Sequence, residues 1–162
     1  MKNVVIQEFS ALAIATASFS LAMPMAQAQI EVGVSTPTVS NAGTLNEGND
    51  HFVEVEINGD NPLQRLKIVC VTFHELSAVR IVDASGAAIP SNINYGFEEF
   101  TITFDDALTA GKQVRIIMED SRVGGRRDGL TVPYQVFATY PEIGGEIPIG
   151  TALITIPSAT NR

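Results

Sequence analysis

Two histidines, one cysteine and a cluster of arginines are the side chains of this sequence that can do chemistry. Histidine is the usual metal ligand and neutral-pH proton carrier, and the chain has it at His51 and His74. His74-Glu75 begins a pattern that zinc proteases complete with a second histidine four positions on, but Ala78 stands there. Both histidines are therefore expected at the surface or at strand ends, and no metal or other cofactor is implied. Cys70 would need an exposed, electropositive setting to act as a nucleophile. Its alternation with Leu66 and Ile68 points it inward, as a small buried hydrophobe. No serine sits in a G-x-S-x-G elbow, so nucleophile, base and oxyanion hole do not assemble, and no catalytic residue is expected.

Acidic pairs occur at Glu98-Glu99, Asp105-Asp106 and Glu119-Asp120. Neighbours along a strand face opposite sides, and no D-x-D-x-D-G loop is present, so these pairs read as solvated surface and not as calcium ligands. The most distinctive loop is Ser121 to Gly129, where Arg122, Arg126 and Arg127 surround Gly124 and Gly125 in an otherwise acidic chain. Guanidinium forks suit carboxylates, phosphates and sulfates, so this loop is the candidate for an anionic ligand such as an acidic glycan. The competing expectation is a glycine-rich hairpin kept soluble by charge.

The elements that must position these groups are strands. Val53, Val55 and Ile57 alternate with Glu54 and Glu56, giving one apolar and one wet face. The same period returns in Leu66-Ile68-Cys70, Val79-Ile81, Phe100-Ile102-Phe104, Val114-Ile116-Met118, Val132-Tyr134-Val136-Ala138 and Ala152-Ile154-Ile156. Turn chemistry bounds the runs, as in Asn58-Gly59-Asp60, Asp83-Ala84-Ser85-Gly86 and Thr109-Ala110-Gly111. Seven or eight short strands without intervening helices predict an all-β fold, an immunoglobulin-like antiparallel sandwich, with a small barrel as the alternative. Pro133 removes a ladder donor and places that end of its strand at an edge or bulge. On this phase Val69, Val71, Ile117, Phe137 and Leu153 point outward, where polar residues are the rule. They mark a candidate partner surface, unless the segment around Ile30 to Val34 covers them.

Residues 1–28 read as a signal peptide: Lys2, an apolar stretch from Ala11 to Met23, then Pro24 and Ala26-Gln27-Ala28 before the expected cleavage. That stretch is about 13 residues against the ~20 a bilayer needs, so no membrane span is expected after cleavage. Residues 29–50, rich in Ser, Thr, Asn and Gly, read as a flexible or partly ordered leader. Residues 51–158 form the sandwich, and 159–162 a tail. In a chain of 162 residues, 18 acids against 10 Lys and Arg give a net charge of -8, which argues against nucleic acid as a partner. One cysteine excludes an intrachain disulfide, so packing alone must hold the fold.

Leu108-x-x-Gly111 before a Val-x-Ile strand, Gly129 before Tyr134-x-Val136-x-Ala138, Pro141, and Gly150 opening the last strand resemble the second half of an exported, single-domain family. That family is found chiefly in cyanobacteria and known only as a domain of unknown function. Pro62-Leu63-x-x-Leu66-x-Ile68 and the segment Val79 to Gly86 extend the likeness, which covers His51 to Pro157. In outline the family is similar to small periplasmic copper carriers, but those need a histidine at the mature N-terminus, where this chain has Gln29. The resemblance implies a compartment (periplasm, lumen or extracellular space) and a fold, and no catalytic residues. The functional expectation is an exported, non-enzymatic interaction or envelope module whose partner is an unidentified envelope or extracellular protein or glycan. A metal or small-ligand carrier and a hydrolase with dispersed residues are the alternatives.

Overall fold

Alternating apolar residues close against one another as two stacked antiparallel sheets in the computed structural model, which describes residues 36–71, 74–123, 129–140 and 144–158. In chain order the strands are β1 (Thr38–Leu45), β2 (Asp50–Glu56), β3 (Leu63–Cys70), β4 (His74–Glu75), β5 (Ala78–Asp83) and β6 (Ser91–Tyr95). They continue with β7 (Glu99–Leu108), β8 (Gln113–Glu119), β9 (Arg122–Val123), β10 (Thr131–Thr139) and β11 (Glu146–Thr155). A 3-10 turn, Asn46–Gly48, joins β1 to β2. One sheet runs β1-β2-β8-β5 and the other β11-β10-β3-β7-β6, while β4 and β9 form a separate two-stranded ribbon. Neither large sheet closes into a barrel, so the sandwich is the architecture.

Every residue assigned to the apolar phase lies in the core, from Val53, Val55 and Ile57 through Phe100, Ile102 and Phe104 to Ala152, Ile154 and Ile156. The turns form where expected. At Asp83 the carboxylate accepts from the backbone N–H groups of Ser85 (2.8 Å) and Ala87 (3.0 Å), and Gly86 takes a positive φ of 86° that a β-carbon would strain. Pro133 sits where its missing N–H costs least. The β3–β10 ladder begins at Tyr134, so at Pro133 the strand has a neighbour only in β11.

Three features depart from the sequence reading. Strand β1 arises inside the segment read as a leader and pairs with β2 along its length, with an irregularity between Val39 and Asn41. Its residues Thr-Val-Ser-Asn-Ala-Gly-Thr-Leu show little period, because β2 supplies the ladder and Phe52 lies over Gly43 in place of a side chain. Glu54, placed on the wet face, is buried there: Arg115 stands opposite it in register and donates Nε to Oε1 at 2.7 Å. Ile117 is likewise buried and so drops out of the partner surface. It sits between Phe52 and Arg80 in the cross-strand register, and their larger side chains flank it.

Candidate functional site

His51 belongs to the core, not to the surface. It precedes Val53 by two residues on β2 and therefore shares the inward phase, where it is fully buried. A buried imidazole needs a polar partner, and β10 provides it: Nδ1 lies 2.6 Å from the Tyr134 hydroxyl, with the rings edge to face at 5.8 Å. Tyr134 in turn faces Cys70 across the β3–β10 register. Burial lowers the His51 pKa to about 4, against a smaller opposing pull from Asp50, so the imidazole is neutral at pH 7. Burial first, and the adjacent Cys70 second, push the Tyr134 phenol well above its ordinary value. The sequence carried a signal for this pair, since both are polar residues on the apolar phase of their strands.

These groups link the two sheets internally, and Cys70 is buried as its alternation predicts. A cleft of about 310 Å³ reaches Cys70 and Tyr134 from outside, with Glu75, Leu76, Tyr95, Glu98 and Glu99 around it. Among the described residues no three His, Cys, Asp or Glu side chains converge to hold a metal ion.

The remaining candidates separate by face. Val69 and Phe137 are half-buried on the outer face of the five-stranded sheet, where the Lys67 ammonium stands 5.2 Å from the Phe137 ring. Leu153 and Val71 are exposed, at 64% and 55%. Leu153 pairs with half-buried Pro133 on β10, and Val71 follows Cys70, the register partner of Tyr134, at the same end of the sheet. The Cys70 N–H donates to the Glu98 carbonyl at 2.8 Å, bringing the tip of the β6–β7 hairpin alongside, and Phe97 at that tip is 78% exposed. Leu153, Pro133, Val71 and Phe97 thus gather at one end of the five-stranded sheet, the first two on β11 and β10, Val71 just past β3 and Phe97 in the β6–β7 turn. Phe97 has no alternation to reveal it, because it sits in the two-residue turn. Arg122 lies on β9 opposite Glu75 and pairs with Asp120 at 3.5 Å, while Arg126 and Arg127 lie outside the described residues, as do residues 30–34.

No protein-family model matches the chain, and no curated protein sequence matches it. Among solved structures it is similar to a DUF4466 family protein from Parabacteroides merdae, at 15% identity and a TM-score of 0.44, over 75% of this chain and 45% of that one. It is also similar to a non-cellulosomal cohesin from Archaeoglobus fulgidus, at 12% identity and a TM-score of 0.45, over 76% and 93% of the two chains. A third is the collagen-binding domain of a Staphylococcus aureus adhesin, at 10% identity and 0.39, over 75% and 97%. The chain spans less than half the length of the Parabacteroides protein. None of these likenesses transfers a ligand or an activity to it.

Proposed function

We propose that the chain is an exported β-sandwich that binds a protein or glycan of the cell envelope or extracellular space through the outer face of its five-stranded sheet. The observation that carries this reading is the exposure of Leu153, Val71 and Phe97 at one end of the five-stranded sheet, beside half-buried Pro133, since exposed apolar side chains gathered on one part of a surface mark contact with another molecule. The burial of His51, Cys70 and Tyr134 in the core supports recognition over catalysis. Val69 and Phe137 extend the same face, and Arg122 with Arg126 and Arg127 would add an anion-binding loop suited to an acidic glycan. Export follows from residues 1–28, and N-terminal sequencing of protein recovered from its own cells should return Gln29.

The test is capture from the extracytoplasmic fraction of those cells, then direct binding of the identified partner to the purified chain. Val71→Ser combined with Leu153→Ser removes exposed apolar surface without touching the core, and should weaken binding by about ten-fold or more. Unchanged affinity of the double variant would remove the sheet face from the reading. Capture of no partner would remove the reading itself.

A further inference from the structure

An open sheet edge is a template for another strand, and three of the four edges of this sandwich are occupied. On β5, the Val79 N–H donates to the Tyr95 hydroxyl at 3.1 Å, the Asp83 N–H to the Ala87 carbonyl at 2.9 Å, and the Ile81 carbonyl accepts from Ile89 at 3.0 Å. Edges β1 and β11 abut: a side chain at Gly150 would come within 3.0 Å of Val39.

Strand β6 is the exception. Its ladder with β7 is bracketed by the Asp105 N–H donating to the Pro90 carbonyl (3.2 Å) and the Gly96 N–H to the Glu99 carbonyl (2.9 Å). Between them Asn92 stands opposite Thr103 and Asn94 opposite Thr101. Hydrogen-bonded pairs alternate in an antiparallel ladder, so the N–H and C=O groups of Ser91, Ile93 and Tyr95 point away from β7. Among the described residues nothing pairs with them.

Two features define what would fit there. Leu76, Ile89 and Ile93 are only partly buried against the core, which suits an incoming strand with apolar residues at alternate positions. The cleft at the Tyr95 end brings together Glu75, Glu98 and Glu99 with no cation in its lining among the described residues, and Lys67, 3.9 Å from Glu99, is held more closely by Glu146. Exposed Asp105 and Asp106 stand at the other end of the edge.

We propose that β6 receives an extended segment of a partner protein as a sixth strand of this sheet. The segment would be apolar at alternate positions and carry Lys or Arg where it enters the cleft beside Tyr95. This rests on the reading of the chain as an interaction module and specifies the form its partner takes.

The probe is a displayed library of random linear peptides, selected on the full chain. Enriched peptides should alternate apolar and polar residues and carry Lys or Arg. They should bind about ten-fold or more weakly to Ile93→Pro, which removes an edge donor. At low salt they should bind about three-fold or more weakly to Glu75→Gln combined with Glu98→Gln. Amide exchange in the unaltered chain reads the edge without any substitution, and the Ile93 and Tyr95 amides should slow on binding. Absence of enrichment, or bound peptides that leave both amides unprotected, would overturn the proposal. Peptides that depend on Val71 and Leu153 but not on the edge would overturn it while sparing the proposed sheet face. Slowing of the same amides when the chain alone is concentrated would assign the edge to a second copy, and would overturn it too.

Discussion

The His51–Tyr134 pair makes the fold sensitive to acid through one imidazole. An unfolded histidine takes up a proton near pH 6.5, whereas burial holds His51 back to about 4. Between those values the unfolded chain binds more protons than the folded one, so stability is complete above pH 6.5 and falls as pH drops toward 4. The loss amounts to about 3 kcal/mol. Urea midpoints taken near neutral pH and near pH 4.5 should therefore differ by less in His51→Gln than in the parent, and equal differences would refute the assignment. Tyr134→Phe should cost roughly 1–3 kcal/mol at neutral pH, because it removes the hydroxyl from a buried imidazole whose nitrogen it meets at 2.6 Å. Alternation placed Tyr134 correctly in the core but could not join it to a residue 83 positions away, since register between two sheets is not written in either strand. His51 was misplaced because residue type outweighed phase: two positions before Val53, it had to point inward.

Strands whose own side chains fill the core were legible, and strands stabilised by their neighbours were not. β7 carries a clean period-two run in Phe100, Ile102 and Phe104 between threonines, while β1 and β6 are polar edge strands, rich in Ser, Thr, Asn and Gly, that borrow their ladders from β2 and β7. The outer face of the four-stranded sheet was misread for a related reason. Glu54 and Ile117 have the phase of exposed residues, yet Arg115 covers the first, and Arg115 also stands 5.3 Å from the Phe52 ring next to the second. This cross-strand pair between β2 and β8 predicts an asymmetry. Arg115→Ala leaves a buried carboxylate without its partner and should cost about 1–3 kcal/mol, whereas Glu54→Gln leaves a half-exposed guanidinium that water can solvate and should cost less than about 1 kcal/mol. Thermal unfolding of the two variants, compared at low and high salt, measures the difference. Equal losses would mean that the carboxylate is better hydrated than its burial indicates.

At the scale of the molecule, stability comes from sealing two apolar sheet faces without any covalent brace, and among the described residues every core position falls between Val39 and Ile156. That places the folding boundary well before His51, because β1 closes the open side of β2, carries Val39 and Ala42 onto the core, and abuts β11 at Gly150. A chain beginning at residue 36 should keep the melting temperature of the full chain to within about 2 °C, since it retains every core residue among the described ones. A chain beginning at Asn46 should melt at least about 10 °C lower or fail to fold. It should also associate, because removing β1 exposes the β2 edge with Phe52 beside it. Circular dichroism melts and size-exclusion profiles of the two shortened chains distinguish these outcomes. If the chain from residue 36 unfolded as readily as the chain from Asn46, residues 1–35 would have to belong to the packed structure, and β1 would not be the strand that completes it.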